Sequence, residues 1–174
     1  MTNPRPLRPW ANFCPRCGAQ PWVSEDGRRH TCAACNFVYF HNLAAAVAAV
    51  IRCGERVAFI VRGKAPGLGL LDLPGGFVDP GESLESAMRR EIDEETGWSV
   101  GVPRYLFSYP NTYPYGEVVY TTVDAFFEFH VEQEYPVPPN SEVSAVVWQR
   151  LDEVALDALA FVSIRTAVER LRNA

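Results

Sequence analysis

The sequence predicts an α/β fold: a mixed β-sheet packed between helices and preceded by a small four-cysteine module. Three observations lead there. Short segments rich in Val, Ile, Phe, Tyr and Trp recur between residues 43 and 148, and two amphipathic helical patterns accompany them. Four of the five cysteines fall within residues 13–40, a stretch with little aliphatic material. The chain has 174 residues, room for one ordinary domain plus a small module, and its 48% hydrophobic content argues against wholesale disorder.

Taken in order, residues 1–12 are Pro-rich and expected to be extended or mobile. Leu43–Arg52 and Arg56–Arg62 suit strands around a turn at Cys53-Gly54-Glu55. Gly63–Gly69 reads as a loop. Leu71–Pro74 is a short strand running into Gly75-Gly76, and Phe77–Gly81 a further turn. Glu82 or Ser83 opens a helix that reaches Thr96 and stops at Gly97, a good C-cap residue. Tyr105–Ser108, Tyr120–Glu132 and Ser144–Trp148 look like strands; Tyr109–Gly116 and Gln133–Asn140 read as Pro-rich loops. Asp152 or Asp157 is expected to cap a C-terminal helix reaching Arg172, with Leu159, Val162, Ile164, Val168 and Leu171 as its apolar positions.

The formal net charge of −5 argues against a general nucleic-acid binder, although one small basic patch is compatible with it. The longest apolar run, Leu43–Ile51, is about half of what a membrane span needs. Met1–Pro9 mixes Arg and Pro without an apolar core, unlike a secretory signal. The expected location is the cytoplasm, where cysteines are reduced and a regular Cys pattern points to metal.

Cys14-Pro-Arg-Cys17 and Cys32-Ala-Ala-Cys35 are two C-x₂-C knuckles separated by fourteen residues (18–31). Each sets two thiolates on one tight turn, and two facing knuckles complete a closed four-thiolate site suited to structural Zn²⁺. A segment this poor in apolar residues needs such a staple to fold. A pair of disulfides or one redox-active C-x₂-C are the alternatives. Cys53 is left over as a small half-buried hydrophobe. His30 and His41 are expected at the surface or beside the ligands, since four cysteines already fill the site.

The acids Glu82, Glu85, Glu91, Asp93, Glu94 and Glu95 crowd one short stretch. On a helix, Glu91, Glu94 and Glu95 fall on one arc of roughly 100°. Leu84, Met88 and Ile92 recur every four residues and would anchor that helix to the sheet. Carboxylates about 4–6 Å apart raise one another's pKa unless a cation compensates. Carboxylate oxygens with room for water suit Mg²⁺ or Mn²⁺. A solvated acidic face laced by pairs such as Arg90–Glu94 explains the same charges without a cation.

The stretch from Gly76 to Trp98 resembles the Nudix box, G-x₅-E-x₇-R-E-U-x-E-E-x-G-U with U a bulky apolar residue. Gly76, Glu82, Arg90, Glu91, Ile92, Glu94, Glu95, Gly97 and Trp98 all match it. The resemblance implies a loop–helix–loop in a Nudix-type α/β/α sandwich spanning residues 42–174, after a zinc ribbon at 13–40. It implies Mg²⁺-dependent hydrolysis of a nucleoside diphosphate linked to another group. Glu91 and Glu95 would be the main metal ligands and Glu94 a further ligand or water partner. Glu82 and Arg90 would brace the helix, and Gly76 would bring backbone close to the metal. Glu142 is the candidate for a further ligand or general base: Glu142–Trp148 resembles the E-x₅-W segment of zinc-ribbon NADH pyrophosphatases. The alternative for Glu142 is an exposed acid in a polar loop; Glu117, Glu132 and Glu134 are weaker candidates.

A Cys₄ ribbon joined to a Nudix domain is similar to that subgroup, which points to NADH, NAD, ADP-ribose or another nucleotide sugar as substrate. Where the subgroup carries a Ser-Gln-Pro-Trp-like stretch, this chain has Ser108–Tyr115, with Ser and prolines but no Gln or Trp. Tyr109, Tyr113 and Tyr115 could wall an adenine or nicotinamide ring, or could simply pack the loop onto the sheet. A nucleotide-sensing or nucleic-acid- or protein-binding module without turnover is the second reading, with Arg16, Arg28 and Arg29 as the ribbon's basic residues. Family members are often dimers, so a homodimer is also an expectation.

Overall fold

The computed structural model describes residues 13–20, 22–24, 27–116 and 118–173. The Pro-rich segment 1–12 and Glu117 lie outside the described residues. β1 (Trp22–Ser24), β2 (Arg29–Cys32) and β3 (Val38–Phe40) form an antiparallel sheet of their own. Its interior is small: Cys14, Trp22 and Cys32 are buried, with Phe37 and Tyr39 packed against them. His30, expected at the surface or beside the ligands, is buried here and stacks on the Trp22 indole with ring centroids 5.6 Å apart.

The main sheet begins with β4 (Ala44–Cys53) and β5 (Arg56–Arg62). Two short strands follow, β6 (Leu71–Asp72) and β7 (Gly75–Phe77), and then helix α1 (Leu84–Thr96). Long strands β8 (Arg104–Tyr115) and β9 (Val118–His130) come next, then β10 (Val143–Arg150) and helix α2 (Val162–Arg172). The strand order is β10-β5-β4-β9-β8, with β6 on β5 and β7 on β4. The central pair β4 and β9 is parallel and the remaining pairs are antiparallel.

The sheet is covered on both faces, and the period-2 alternation of a strand says by what. Val47, Ala49 and Ile51 of β4 and Ala125, Phe127 and Phe129 of β9 pack with Ala87, Met88 and Ile92 of α1. Ala48 and Val50 of β4 and Phe126 of β9 pack on the opposite face with Ile164, Ala167 and Val168 of α2. This is the α/β/α sandwich. Burying a side chain such as Phe59, Phe126 or Ile92 completely stabilises the fold by roughly 1.5–3 kcal/mol.

Helix α1 has both of its ends defined by sequence. Ser83 is the N-cap and forms a reciprocal capping box with Ser86. Gly97 takes φ 70°, a left-handed conformation that favours glycine, and donates its N–H to the Asp93 carbonyl at 2.8 Å.

Two segments differ from expectation. Residues 109–115 are strand, not loop, because β8 is an edge strand. Pro110 and Pro114 are four residues apart, both opposite β9, so each missing N–H falls on the same side of the strand. An edge tolerates this if that side faces away from the ladder. Helix α2 starts at Val162, with Phe161 as N-cap, while Asp152 and Asp157 sit in short 3₁₀ turns. The reason is tertiary. Leu159 forms a parallel bridge with Leu71, and Ala160 N–H donates to the Leu71 carbonyl at 2.8 Å, which keeps that backbone extended. The first turn of α2 is instead tied down by Ser163, whose hydroxyl donates to buried Asp124 at 2.6 Å.

No helix among the described residues is long and apolar enough to cross a membrane.

Candidate active site

A cavity of about 240 Å³ opens beside β4, where β7, α1, β8 and the start of α2 converge. Two glycines allow close approaches here, Gly75 to β4 and Gly76 to α1. At Gly75 a Cβ would lie 2.0 Å from the Val47 carbonyl oxygen, and at Gly76 it would lie 2.5 Å from the Glu91 carboxylate. At Gly75 the clash is with backbone and only glycine fits; at Gly76 a side chain would push the Glu91 carboxylate from its place. The consequence is that Gly75 N–H donates to Glu95 at 2.8 Å, while Glu91 lies against the Gly76 backbone.

Glu95 is 6% exposed. Burial pushes its carboxyl well above the ordinary range against the pull of the Gly75 amide, and Asp72, Glu91 and Glu142 add repulsion. Burial also raises Glu91, opposed by Arg90 and aided by Glu94 and Glu142. Arg90 organises the other side of the helix. Its guanidinium grips Glu82 with two bonds of 2.8 Å, reaches Glu91 at 2.8 Å and Glu94 at 3.1 Å, and donates to the Phe77 carbonyl at 3.0 Å. The Arg90 side-chain bonds hold the Glu82 carboxyl down to about 2, and the Arg90 pKa is raised in return.

Of the residues singled out from sequence, Gly76, Glu91, Glu95, Tyr113 and Glu142 line the cavity. Arg90 and Glu82 stand behind it, linked to Glu91. The Glu94 side chain is 59% exposed and bonded to Arg90. The three tyrosines part company. Tyr113 meets Phe77 edge-on with centroids 5.2 Å apart and lies 5.4 Å from the Phe161 ring. Tyr109 packs into the α2-side core beside Phe107 and Phe126, and Tyr115 is 64% exposed.

The wall also carries residues the sequence reading passed over: Arg62, Lys64, Asp72, Asp124 and Phe161. Arg62 donates to Asp72 at 2.7 Å and lies over the Phe161 ring, 4.9 Å from its centroid. Burial pushes Asp72 up to about 6 against the attraction of Arg62. Asp124 accepts from Asn111, Thr122 and Ser163 at 2.9, 2.6 and 2.6 Å. A signal existed for both acids. Asp72 lies between Leu71 and Leu73, and Asp124 lies between Val123 and the run Ala125-Phe126-Phe127; lone acids in such places are paired or functional.

The donor set fits a hard divalent cation: carboxylate oxygens on one wall of an open cavity, one of them against bare backbone. Glu91 and Glu95 must lose protons to serve it. Both bind protons more tightly in the folded chain than in the unfolded one, so the metal-free protein loses stability as pH rises above about 4.5. A bound cation reverses that loss. The gain in Tm from Mg²⁺ is therefore expected to be larger at pH 8 than at pH 5. Equal gains at both pH values, in thermal melts with and without Mg²⁺, would remove this pair from the cation site.

The cysteine cluster is built from two copies of one turn. Gly18 N–H donates to the Cys14 carbonyl at 2.8 Å and Asn36 N–H to the Cys32 carbonyl at 2.9 Å. Gly18 at φ 73° and Asn36 at φ 56° both take the left-handed conformation just after the second cysteine of each knuckle. The four Sγ atoms lie within 4.8 Å of one another, with Cys14–Cys35 at 3.7 Å and Cys17–Cys32 at 3.6 Å. A tetrahedron with Zn–S bonds of about 2.3 Å has edges of about 3.8 Å, so the cluster has the size of a Zn²⁺ site.

These features are those of a known class. The profile of the NUDIX domain matches residues 41–170, and the chain belongs to the NUDIX family. Among individual relatives, the "NAD-capped RNA hydrolase NudC" of Deinococcus radiodurans is 30% identical over 115 residues, covering 64% of this chain and 41% of that protein. The NudC of Chromobacterium violaceum is 34% identical over 103 residues, covering 59% and 38%. The matched region thus spans about two fifths of the length of these relatives. Among solved structures, the NUDIX domain of Shewanella oneidensis NrtR, complexed with ADP ribose, is 27% identical with a TM-score of 0.60, covering 78% of this chain and 91% of that one.

Proposed function

We propose that this chain hydrolyses the pyrophosphate bond of a nucleoside diphosphate linked to a second group, of the NAD(H) or ADP-ribose type. The observation that carries the reading is one cavity with two kinds of wall. Glu91, Glu95 and Glu142 stand on one, and the Phe77, Tyr113 and Phe161 rings with Arg62 on another. Carboxylates that gather cations suit a pyrophosphate, and aromatic faces suit a planar base. The named relatives support the substrate class.

Glu91 and Glu95 would hold Mg²⁺ or Mn²⁺, with Glu142 as a further ligand or general base and Glu94 behind them as a water partner. Such a cation lowers the pKa of a bound water and neutralises charge on the phosphates. The protein's own part is positioning. The Gly75 amide fixes Glu95, and Arg90 ties α1 to the Phe77 carbonyl so that Glu91 stays beside Gly76. Cys14, Cys17, Cys32 and Cys35 would hold a structural Zn²⁺. On this reading residues 13–40 are a zinc ribbon and 42–174 the Nudix domain.

Chromatographic separation of the products formed from NADH, NAD, ADP-ribose and nucleotide sugars with Mg²⁺ tests the proposal. Cleavage of at least one into two nucleoside or sugar monophosphates is expected. Binding without cleavage of any of them would instead identify a nucleotide sensor.

A further inference from the structure

At the mouth of the cavity the Lys64 ammonium meets the Glu142 carboxylate at 2.6 Å, and both side chains are 49% exposed. The backbone around this pair is held. Gly63 N–H donates to the Glu142 carbonyl at 2.7 Å. Asn140 Oδ1 accepts from the N–H groups of Glu142 and Val143 at 2.8 Å each, and Asn140 Nδ2 donates to the Glu95 carbonyl at 3.1 Å. The segment carrying Glu142 is thereby referenced to the end of α1, and its side chain is the part free to move. Glu142 lies near enough to Glu91 and Glu95 to repel both.

Among the described residues, Arg62 and Lys64 are the cations on the cavity wall. Arg62 is committed: it is buried, bonded to Asp72 and to the Pro66 carbonyl at 2.6 Å, and stacked on Phe161. Lys64 is the opposite case. A half-exposed ion pair contributes little stability and is exchanged at small cost. The diphosphate of such a substrate carries two negative charges, one on each phosphoryl group, and so offers an ammonium more charge than one carboxylate does.

We propose that Lys64 is a phosphate-binding residue and Glu142 its exchangeable partner: an entering substrate phosphate draws the ammonium away and frees the carboxylate for the divalent cation. Phosphate and cation then bind with positive coupling, because each favours the same exchange. The inference rests on the reading of the cavity as a pyrophosphate site.

Mn²⁺ titrations without nucleotide, followed by calorimetry, compare the wild type with Lys64→Met, Glu142→Gln and the double variant. Lys64→Met is expected to bind Mn²⁺ about threefold to fivefold more tightly than wild type, the scale of releasing one partner of an exposed pair. That gain is expected to vanish in the Glu142→Gln background. Inorganic phosphate, titrated into the Mn²⁺-loaded protein, is expected to bind Lys64→Met about tenfold more weakly, with Lys64→Arg restoring most of the loss. For a cleaved compound, KM rises by a similar factor and kcat moves less. Unchanged Mn²⁺ affinity, or unchanged phosphate affinity, overturns the proposal. Neither readout needs turnover, so a wild type that cleaves no compound defeats the pyrophosphatase reading and leaves these two titrations to decide the role of Lys64.

Discussion

Glu95→Gln is expected to lower turnover on the order of a hundredfold or more, the scale of removing one preorganised electrostatic group from an active site. Glu95 is buried, and the bond the structure gives its side chain is from the Gly75 amide. Glutamine keeps an oxygen to accept that bond, but it brings no negative charge to the cavity. The substitution also removes a carboxyl whose ionisation burial opposes. The metal-free variant is therefore expected to melt no lower than wild type, and higher above neutral pH. The Mg²⁺-dependent gain in Tm should shrink with turnover. Glu94→Gln is the contrasting variant: its carboxylate is mostly exposed and held by Arg90, so a smaller loss is expected. Assays of both variants beside their melting curves check this, and near-wild-type turnover of Glu95→Gln refutes its place as a ligand.

Removing the metal from the cysteine cluster is expected to unfold residues 13–40 and leave the sheet of β4–β10 standing. Structural zinc contributes roughly 10–16 kcal/mol of apparent binding energy at neutral pH, and that energy is also folding energy. The ribbon has little else, since its interior is Trp22 with two of the ligands themselves. The main sheet keeps its own two apolar layers on either side. Metal analysis is expected to find one zinc per chain, and Cys32→Ser to lose it. Proteolysis should then cut within 13–40 while near-native melting of the remainder persists. Acid should act in the same direction. Burial raises the Cys32 thiol, but backbone amides at Cys35 and Ala34 bring it down to about 7. The Phe37 amide favours ionised Cys35, yet burial and the neighbouring sulfurs push it up to about 12. Metal binding must displace those protons, so zinc affinity falls with pH. A chain that contains no zinc under reducing conditions, yet keeps β1–β3, would sink this account.

Much of this site was legible because it is local. The spacing of Leu84, Met88 and Ile92 set which face of α1 is buried, and the acids followed from that same rotation. Gly97 marked one helix end and the pair Glu82 or Ser83 the other, of which Ser83 is the cap, because caps depend on neighbours within one turn. Two cysteine pairs three residues apart implied two like turns, and the structure contains them. Prolines misled where they are usually informative. Pro110 and Pro114 argued for a loop, and only the position of β8 at the sheet edge made a strand tolerable there. Asp152 and Asp157 were sound caps by residue type, but the bridge from Leu159 to Leu71 postponed the helix to Val162.

The sequence by itself determined the chemistry of the chain: a family box with all its acids, four paired cysteines and enough apolar residues for a two-sided sheet. Each is a pattern within a few turns of chain, where spacing alone sets geometry. Tertiary structure decided what shares a cavity with the box. Arg62, Asp72, Tyr113, Asp124 and Phe161 come from five separate segments and meet only when the sheet is paired and α2 is docked. It also decided that Tyr113 lines the cavity while Tyr109 is packed in the core: the two lie four residues apart on one face of β8, and what packs over each point of that strand, Phe161 over Tyr113 and the α2-side core over Tyr109, separates them.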